Sequence, residues 1–192
     1  MVLAATTGSR LFPLTPPSLP KHLLPLCGVP IVLRLLTTLA TSGFTKCILA
    51  IGNGDETTVD ILQNTGGIES KNPVSYVVGK GLWTTVCKLS AECIGSLEAL
   101  RELKRMGFIP AQNELIVVPG DLVVFSPDVM SKLTHSHRYG DSMDENVAAT
   151  IALTNVGDED EFGVPLKESA KVKFLERMST RYGPLIRKTL CC

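Results

Sequence analysis

The sequence predicts a three-layer α/β fold built on a mostly parallel open sheet, and three observations carry that prediction. Short apolar runs alternate with helical patterns along the chain. A long loop of small residues and prolines follows the first apolar run, as expected at the carboxyl end of a strand in an open α/β sheet. The 192 residues, 44% hydrophobic and 20% charged, have the size and balance of one globular domain with a buried core.

The elements follow in order. Val2 to Ala5 reads as the first strand, short for a central one. After the loop to Val29, Pro30 starts a helix carried by Ile31, Leu33, Leu35, Leu36 and Leu39, with Gly43 as its stop. Cys47 to Ile51 is the second strand, followed by a Gly52-Asn-Gly54 turn and a short helix from Thr57 to Gln63. Val74 to Val78 is the third strand, and Gly79 to Cys93 carries no decisive pattern. Ser96 to Met106 is a helix between Gly95 and Gly107. Glu114 to Val118 is a strand running into Pro119-Gly120-Asp121. Ser126-Pro127 opens a helix to about His137, and Val147 to Leu153 is a further strand. Phe162 to Pro165 and Val172 to Leu175 are expected to pair, and nothing regular is expected from Ser179 onward.

Composition removes several function classes. Net charge is +0, so no global field draws the chain to nucleic acid or an anionic membrane, and anion recognition must be local. No apolar run reaches the roughly 18 residues of a membrane span, and Met1 to Ala5 is too short for a signal-peptide core, so a cytoplasmic protein is expected. The six cysteines form no C-x-x-C pair, which speaks against a zinc ribbon or thioredoxin-type site.

The chemistry-bearing residues gather around an anionic ligand. Thr6-Thr7-Gly8-Ser9-Arg10 lets a backbone approach a phosphate, with Arg10 as a planar fork. Lys21, between Pro20 and Pro25, adds a compact cation on a restricted loop. Asp121 ends an apolar strand where a carboxylate suits Mg²⁺ beside a triphosphate. Gly95-Ser96 opens a helix whose free N–H groups could face a ligand, although ordinary capping explains it equally well.

Leu3-Ala4-Ala5-x-x-Gly8-Ser9-Arg10-Leu-x-Pro13-Leu-Thr15, followed by Pro20-Lys21-x-Leu-x-Pro25, resembles the signature of the sugar-1-phosphate nucleotidyltransferases. Pro119-Gly120-Asp121, Gly95-Ser96-Leu97-Glu98-Ala99-Leu100 and Phe162-Gly163-Val164 resemble later segments of that family, in the right order. The resemblance implies a Rossmann-like nucleotide-diphospho-sugar transferase fold over residues 1–178, with 179–192 as a tail and the relatives' left-handed β-helix absent. It implies nucleotide binding (GTP or ATP) at Ala4, Ala5, Gly8, Ser9, Arg10, Lys21, Gly95 and Ser96. Arg10 would hold the pyrophosphate, Lys21 would stabilise charge on the α-phosphate, and Asp121 would hold Mg²⁺. Gly163, Glu176 and Arg177 would meet the sugar phosphate.

Departures from the signature shape the functional expectation. Thr6 stands where the family has glycine, and Arg177 stands where it has lysine. The stretches Leu14 to Leu26, Asp121-Leu122 and Glu161 to Leu175 are similar to the nucleotidyltransferase-like domain of the gamma subunits of translation initiation factor 2B. The expectation is therefore a gamma-like scaffold subunit of that guanine-nucleotide exchange complex, partnered by its other subunits. The alternative is an active sugar-1-phosphate nucleotidyltransferase, such as a mannose-1-phosphate guanylyltransferase.

Overall fold

The first apolar run becomes the middle of the sheet. In a computed structural model, residues 1–5, 19–66, 68–71, 74–78, 81–93, 95–109, 114–123, 126–139, 164–168 and 171–176 are described. Strand β1 (Val2–Ala4) pairs in parallel with β4 (Lys46–Gly52) on one side and β8 (Val118–Pro119) on the other. Beyond β4 lie β7 (Leu82–Leu89), β6 (Val74–Val78) and β5 (Ile68–Lys71). The order is β5-β6-β7-β4-β1-β8. β4 and β7 are parallel, whereas β6 runs antiparallel to both of its neighbours. The mostly parallel open sheet expected from the sequence is thus present, with an antiparallel flank.

Alternation along the central strands divides the core into two. Val2, Ala4, Leu49, Ile51 and Val118 meet Val32, Leu35, Leu36 and Leu39 of helix α1 (Ile31–Thr41) and Leu62 of α2 (Glu56–Gly66). Met130 of α4 (Asp128–Tyr139) joins the same cluster. Met1, Leu3, Ile48, Ala50, Cys87 and Leu89 point the other way, onto Ala99 and Leu103 of α3 (Ser96–Arg105). The sheet is covered on both faces, giving three layers. Each fully buried leucine contributes roughly 1.5–3 kcal/mol before ordering entropy is subtracted.

Helix α1 starts and stops where the sequence places it, after Pro30 and before Gly43, whose φ of +89° suits a residue without a Cβ. Two elements correct the sequence reading. β7 fills much of the segment left unassigned. Leu82 and Val86 pack on the α1 side, whereas Cys87 and Leu89 pack on the α3 side. Trp83, at 48% exposure, lies on the uncovered part of that second face. No single period describes a strand whose two halves are covered on different faces. The strand expected from Glu114 shrinks to Val118–Pro119, because β1 offers so little backbone to pair with. Residues ahead of it still follow β1, and the Met1 ammonium donates to the Ile116 carbonyl at 2.7 Å. Val118 and Gly120 donate to the carbonyls of Met1 and Leu3, so Pro119, which has no N–H, is not asked for a bond to β1.

The loop carrying Lys21 is tied down locally. Lys21–Leu23 forms a 3₁₀ turn, with Leu23 N–H donating to Pro20 C=O and Leu24 N–H to Lys21 C=O. A two-residue hairpin follows, β2 (Pro25–Leu26) and β3 (Val29–Pro30). Its turn residues Cys27 and Gly28 have φ of 50° and 77°, the two left-handed positions that a type I′ turn requires. Arg34 of α1 donates to the Leu26 carbonyl at 2.8 Å and clamps this hairpin to the helix.

Downstream, β9 (Val164–Glu168) and β10 (Lys171–Glu176) pair antiparallel, as the sequence led one to expect. The strand expected at 147–153 and the tail from Ser179 lie outside the described residues.

Candidate functional site at the switch point of the sheet

Chain order makes one place in this sheet special. From β1 the chain moves to β4 beside it, runs to the far edge at β5, comes back inward through β6 and β7, and then crosses to β8 on the opposite side of β1. The crevice outside the carboxyl ends of β1 and β8 is therefore the topological switch point, where open α/β sheets bind ligands. The sequence-predicted Lys21 and Asp121 meet there. Lys21 Nζ donates to Asp121 Oδ2 at 2.5 Å, across 100 residues of sequence. Their side chains are 22% and 37% exposed, so both reach the surface of the crevice.

Each charge is held by a different device. Asp121 follows Gly120, whose amide donates to the Leu3 carbonyl at 2.7 Å. A Cβ on Gly120 would stand 2.6 Å from Ala4 Cβ and 2.9 Å from Ala4 Cα. Glycine is needed here for space, since it lets the chain carrying Asp121 lie directly against β1. Ala4 is correspondingly buried beneath Gly120, and Ala5 is half-buried at the strand end.

Lys21 is held from below by residues that the sequence reading did not single out. His22 is fully buried, and Leu23 is 3% exposed. His22 Nε2 lies 2.8 Å from Thr58 Oγ1 and 3.2 Å from Asp55 Oδ2. Asp55 caps α2. It accepts from the Thr58 amide at 3.1 Å and from the Thr58 hydroxyl at 2.7 Å. The only sequence signal was the spacing of Asp55 and Thr58 after a glycine turn, an ordinary helix start.

Burial alone would raise the Asp55 carboxyl, but the hydrogen bonds from His22 and from the Thr58 hydroxyl and amide outweigh it and hold the group below the ordinary aspartate value. A carboxylate depressed in the folded state adds stability above its unfolded pKa and loses it as pH falls through the folded value. The stability difference between wild type and Asp55→Asn is thus expected to be full above about pH 4 and to close at lower pH. Urea unfolding of both proteins across pH 2–6 measures it.

The other sequence-predicted residues spread along the same edge or fall outside view. Because β7, β4, β1 and β8 are mutually parallel, the helix after β7 begins at the edge that holds Lys21 and Asp121. Gly95 and Ser96 start that helix, α3. A ligand reaching from there to Asp121 crosses three strand spacings of about 4.8 Å each. Gly95 has extended backbone (φ −171°), so its conformation does not demand glycine. The Glu98 carboxylate lies 2.6 Å from where its Cβ would stand. Glu176 ends β10. Gly8, Ser9, Arg10, Gly163 and Arg177, together with Thr6, lie outside the described residues.

A shallow cavity of about 330 Å³ opens between the end of β7 and α3, lined by Ser90, Cys93, Glu98, Arg101, Glu102 and Arg105 among others. The Cys93 thiol in its lining is held towards the protonated form. Burial, then the hydrogen bond to Glu102 and the charges of Glu102 and Glu98, push Cys93 up to about 11. Burial also raises Cys47 and Cys87.

Among the described residues there is no cluster of three or more potential metal ligands. Asp121 alone fits Mg²⁺ in the way that ion is commonly bound, by one carboxylate with substrate phosphates and water completing the shell. Among the same residues no helix is long and apolar enough to cross a membrane.

The sequence profile of a family described as nucleotidyl transferase matches residues 1–176. No curated protein sequence matches the chain. Among solved structures, the chain is similar to a protein from Bacillus anthracis assigned as a glucose-1-phosphate thymidylyltransferase, with a TM-score of 0.66 and 21% identity over 92% of this chain. It is similar to HddC from Yersinia pseudotuberculosis, also solved with GMP-PN, with a TM-score of 0.61 and 19% identity over 95% of this chain. The inositol-1-phosphate CTP transferase from T. maritima gives 0.63 and 17% identity over 95% of this chain. The chain spans 62%, 70% and 65% of those three proteins, respectively. At these identities the likeness is one of fold.

Proposed function

The chain belongs to the nucleotidyl transferase family, and from that premise we propose that it transfers a nucleotidyl group from a nucleoside triphosphate to a sugar 1-phosphate. The observation that carries this reading is the meeting of Lys21 and Asp121 at the switch point. An oxygen of the sugar phosphate forms a bond to the α-phosphorus. The bond from that phosphorus to the β-phosphate bridge breaks, and pyrophosphate leaves. Such transfers depend on positioning and charge neutralisation. Lys21 would neutralise charge on the α-phosphate. Mg²⁺, held by Asp121, would supply further charge neutralisation on the triphosphate. The fold neighbours named for glucose 1-phosphate and inositol 1-phosphate support a phosphorylated acceptor.

The competing proposal is the gamma-like initiation-factor subunit, supported by Thr6 and Arg177 in the sequence. The family match and the fold neighbours favour the transferase over it. The test is pyrophosphate release from GTP or ATP with mannose or glucose 1-phosphate and Mg²⁺. The expected result is release that needs both substrates and falls at least about a hundredfold in Asp121→Ala. No release, together with stable capture of initiation-factor subunits, would establish the scaffold instead.

A further inference from the structure

We propose that His22 is a positioning residue, which aims Lys21 at Asp121 by fastening the lysine's turn to the first turn of α2. The role in catalysis rests on the transferase reading, but the placement itself can be tested without turnover.

His22 and Lys21 are consecutive in a 3₁₀ turn, where successive side chains diverge by about a third of a revolution. One therefore points inward while the other reaches the crevice. The inward one is pinned twice, at 2.8 Å to Thr58 and 3.2 Å to Asp55. Those two residues are themselves locked together by the cap of α2. The outward one ends 2.5 Å from Asp121. Two adjacent residues thus join the β4–α2 connection to the end of β8.

Stability alone does not account for an imidazole at this place. The ring is fully buried, and among the described residues its Nδ1 has no hydrogen-bond partner. A buried polar atom left unpaired costs about 1–3 kcal/mol. A leucine beside Leu23 would avoid that cost and pack in the same core. What a leucine lacks is direction. A hydrogen bond to Thr58 and Asp55 fixes the rotation of the turn, where apolar contact would allow several settings.

The experiment compares wild type with His22→Leu, His22→Gln and Asp121→Ala by timed acylation of lysines with acetic anhydride and mass spectrometry of the Lys21 peptide. Lys21 is expected to be protected in wild type and to lose that protection in His22→Leu, reaching the level of Asp121→Ala. Glutamine, which places a donor near the position of Nε2, is expected to restore protection. In turnover, His22→Leu is expected to lower kcat about tenfold to a hundredfold with little change in KM, and to have no further effect in a Lys21→Met background. Unchanged protection in His22→Leu overturns the proposal. So does protection that is lost and not restored by glutamine, since packing alone would then be the cause. If His22→Leu does not fold, Asp55→Asn carries the same comparison, because asparagine keeps the helix cap and weakens the acceptor. Wild type without turnover would refute the transferase reading and leave the acylation result to decide this one.

Discussion

Lys21→Met is expected to lower kcat for nucleotidyl transfer about a hundredfold to a thousandfold, the usual loss when one donor to a developing charge is removed. The fold should tolerate the change. The turn around Lys21 is held by Leu23 in the core, by His22 on Thr58 and Asp55, and by its own backbone bonds, none of which uses the ammonium. The partner left behind, Asp121, is 37% exposed and can be hydrated, so unfolding free energy should move by less than about 1 kcal/mol. Lys21→Arg should recover only part of the rate, because a planar fork does not reproduce a compact point charge. Steady-state kinetics beside urea unfolding separates the two effects. Equal rates for wild type and Lys21→Met would remove this lysine from the reaction.

Gly120→Ala is expected to cost about 3 kcal/mol of stability and to reduce turnover with it. The added methyl would meet Ala4 Cβ at 2.6 Å, Ala4 Cα at 2.9 Å and the Leu3 carbonyl oxygen at 3.1 Å. Two of these are backbone atoms of β1, which is bonded to β4 on its other side and cannot retreat. The chain after β8 must give way, lengthening the bond from Gly120 N–H to Leu3 C=O and carrying Asp121 with it. Ala4→Gly should restore stability only in part, since it removes the Cβ contact and leaves the two backbone contacts. Urea unfolding of the single and double variants measures this, and a neutral Gly120→Ala would show that the two segments can separate freely.

What could be read from the sequence depended on how evenly an element is covered. Helix α1 has one apolar face, a proline before it and a glycine after it, and its limits were legible. β6 was legible for similar reasons. β7 was not, because its two halves bury different faces, and Trp83 and Lys88 break any alternation. Lys21 and Asp121 could each be chosen by residue type and local setting, but their meeting is a product of strand order. His22 gave no signal at all, since its partner Thr58 lies 36 residues away and reads as part of a helix start. Gly120 stands out in the sequence only as part of Pro119-Gly120-Asp121, and the register with β1 shows that it is there for space.

The local bonding of the Lys21 turn also decides when disorder is lost. The Leu23 and Leu24 amides bond back to Pro20 and Lys21, and Ile31 N–H bonds to Leu24 C=O, so this turn is ordered during folding. For a phosphate that meets Lys21, this turn adds to the ordering cost only the lysine's side-chain torsions, up to about 2 kcal/mol. Preorganisation of this kind shows itself as affinity: the part of the site that contains Lys21 is built before its ligand comes.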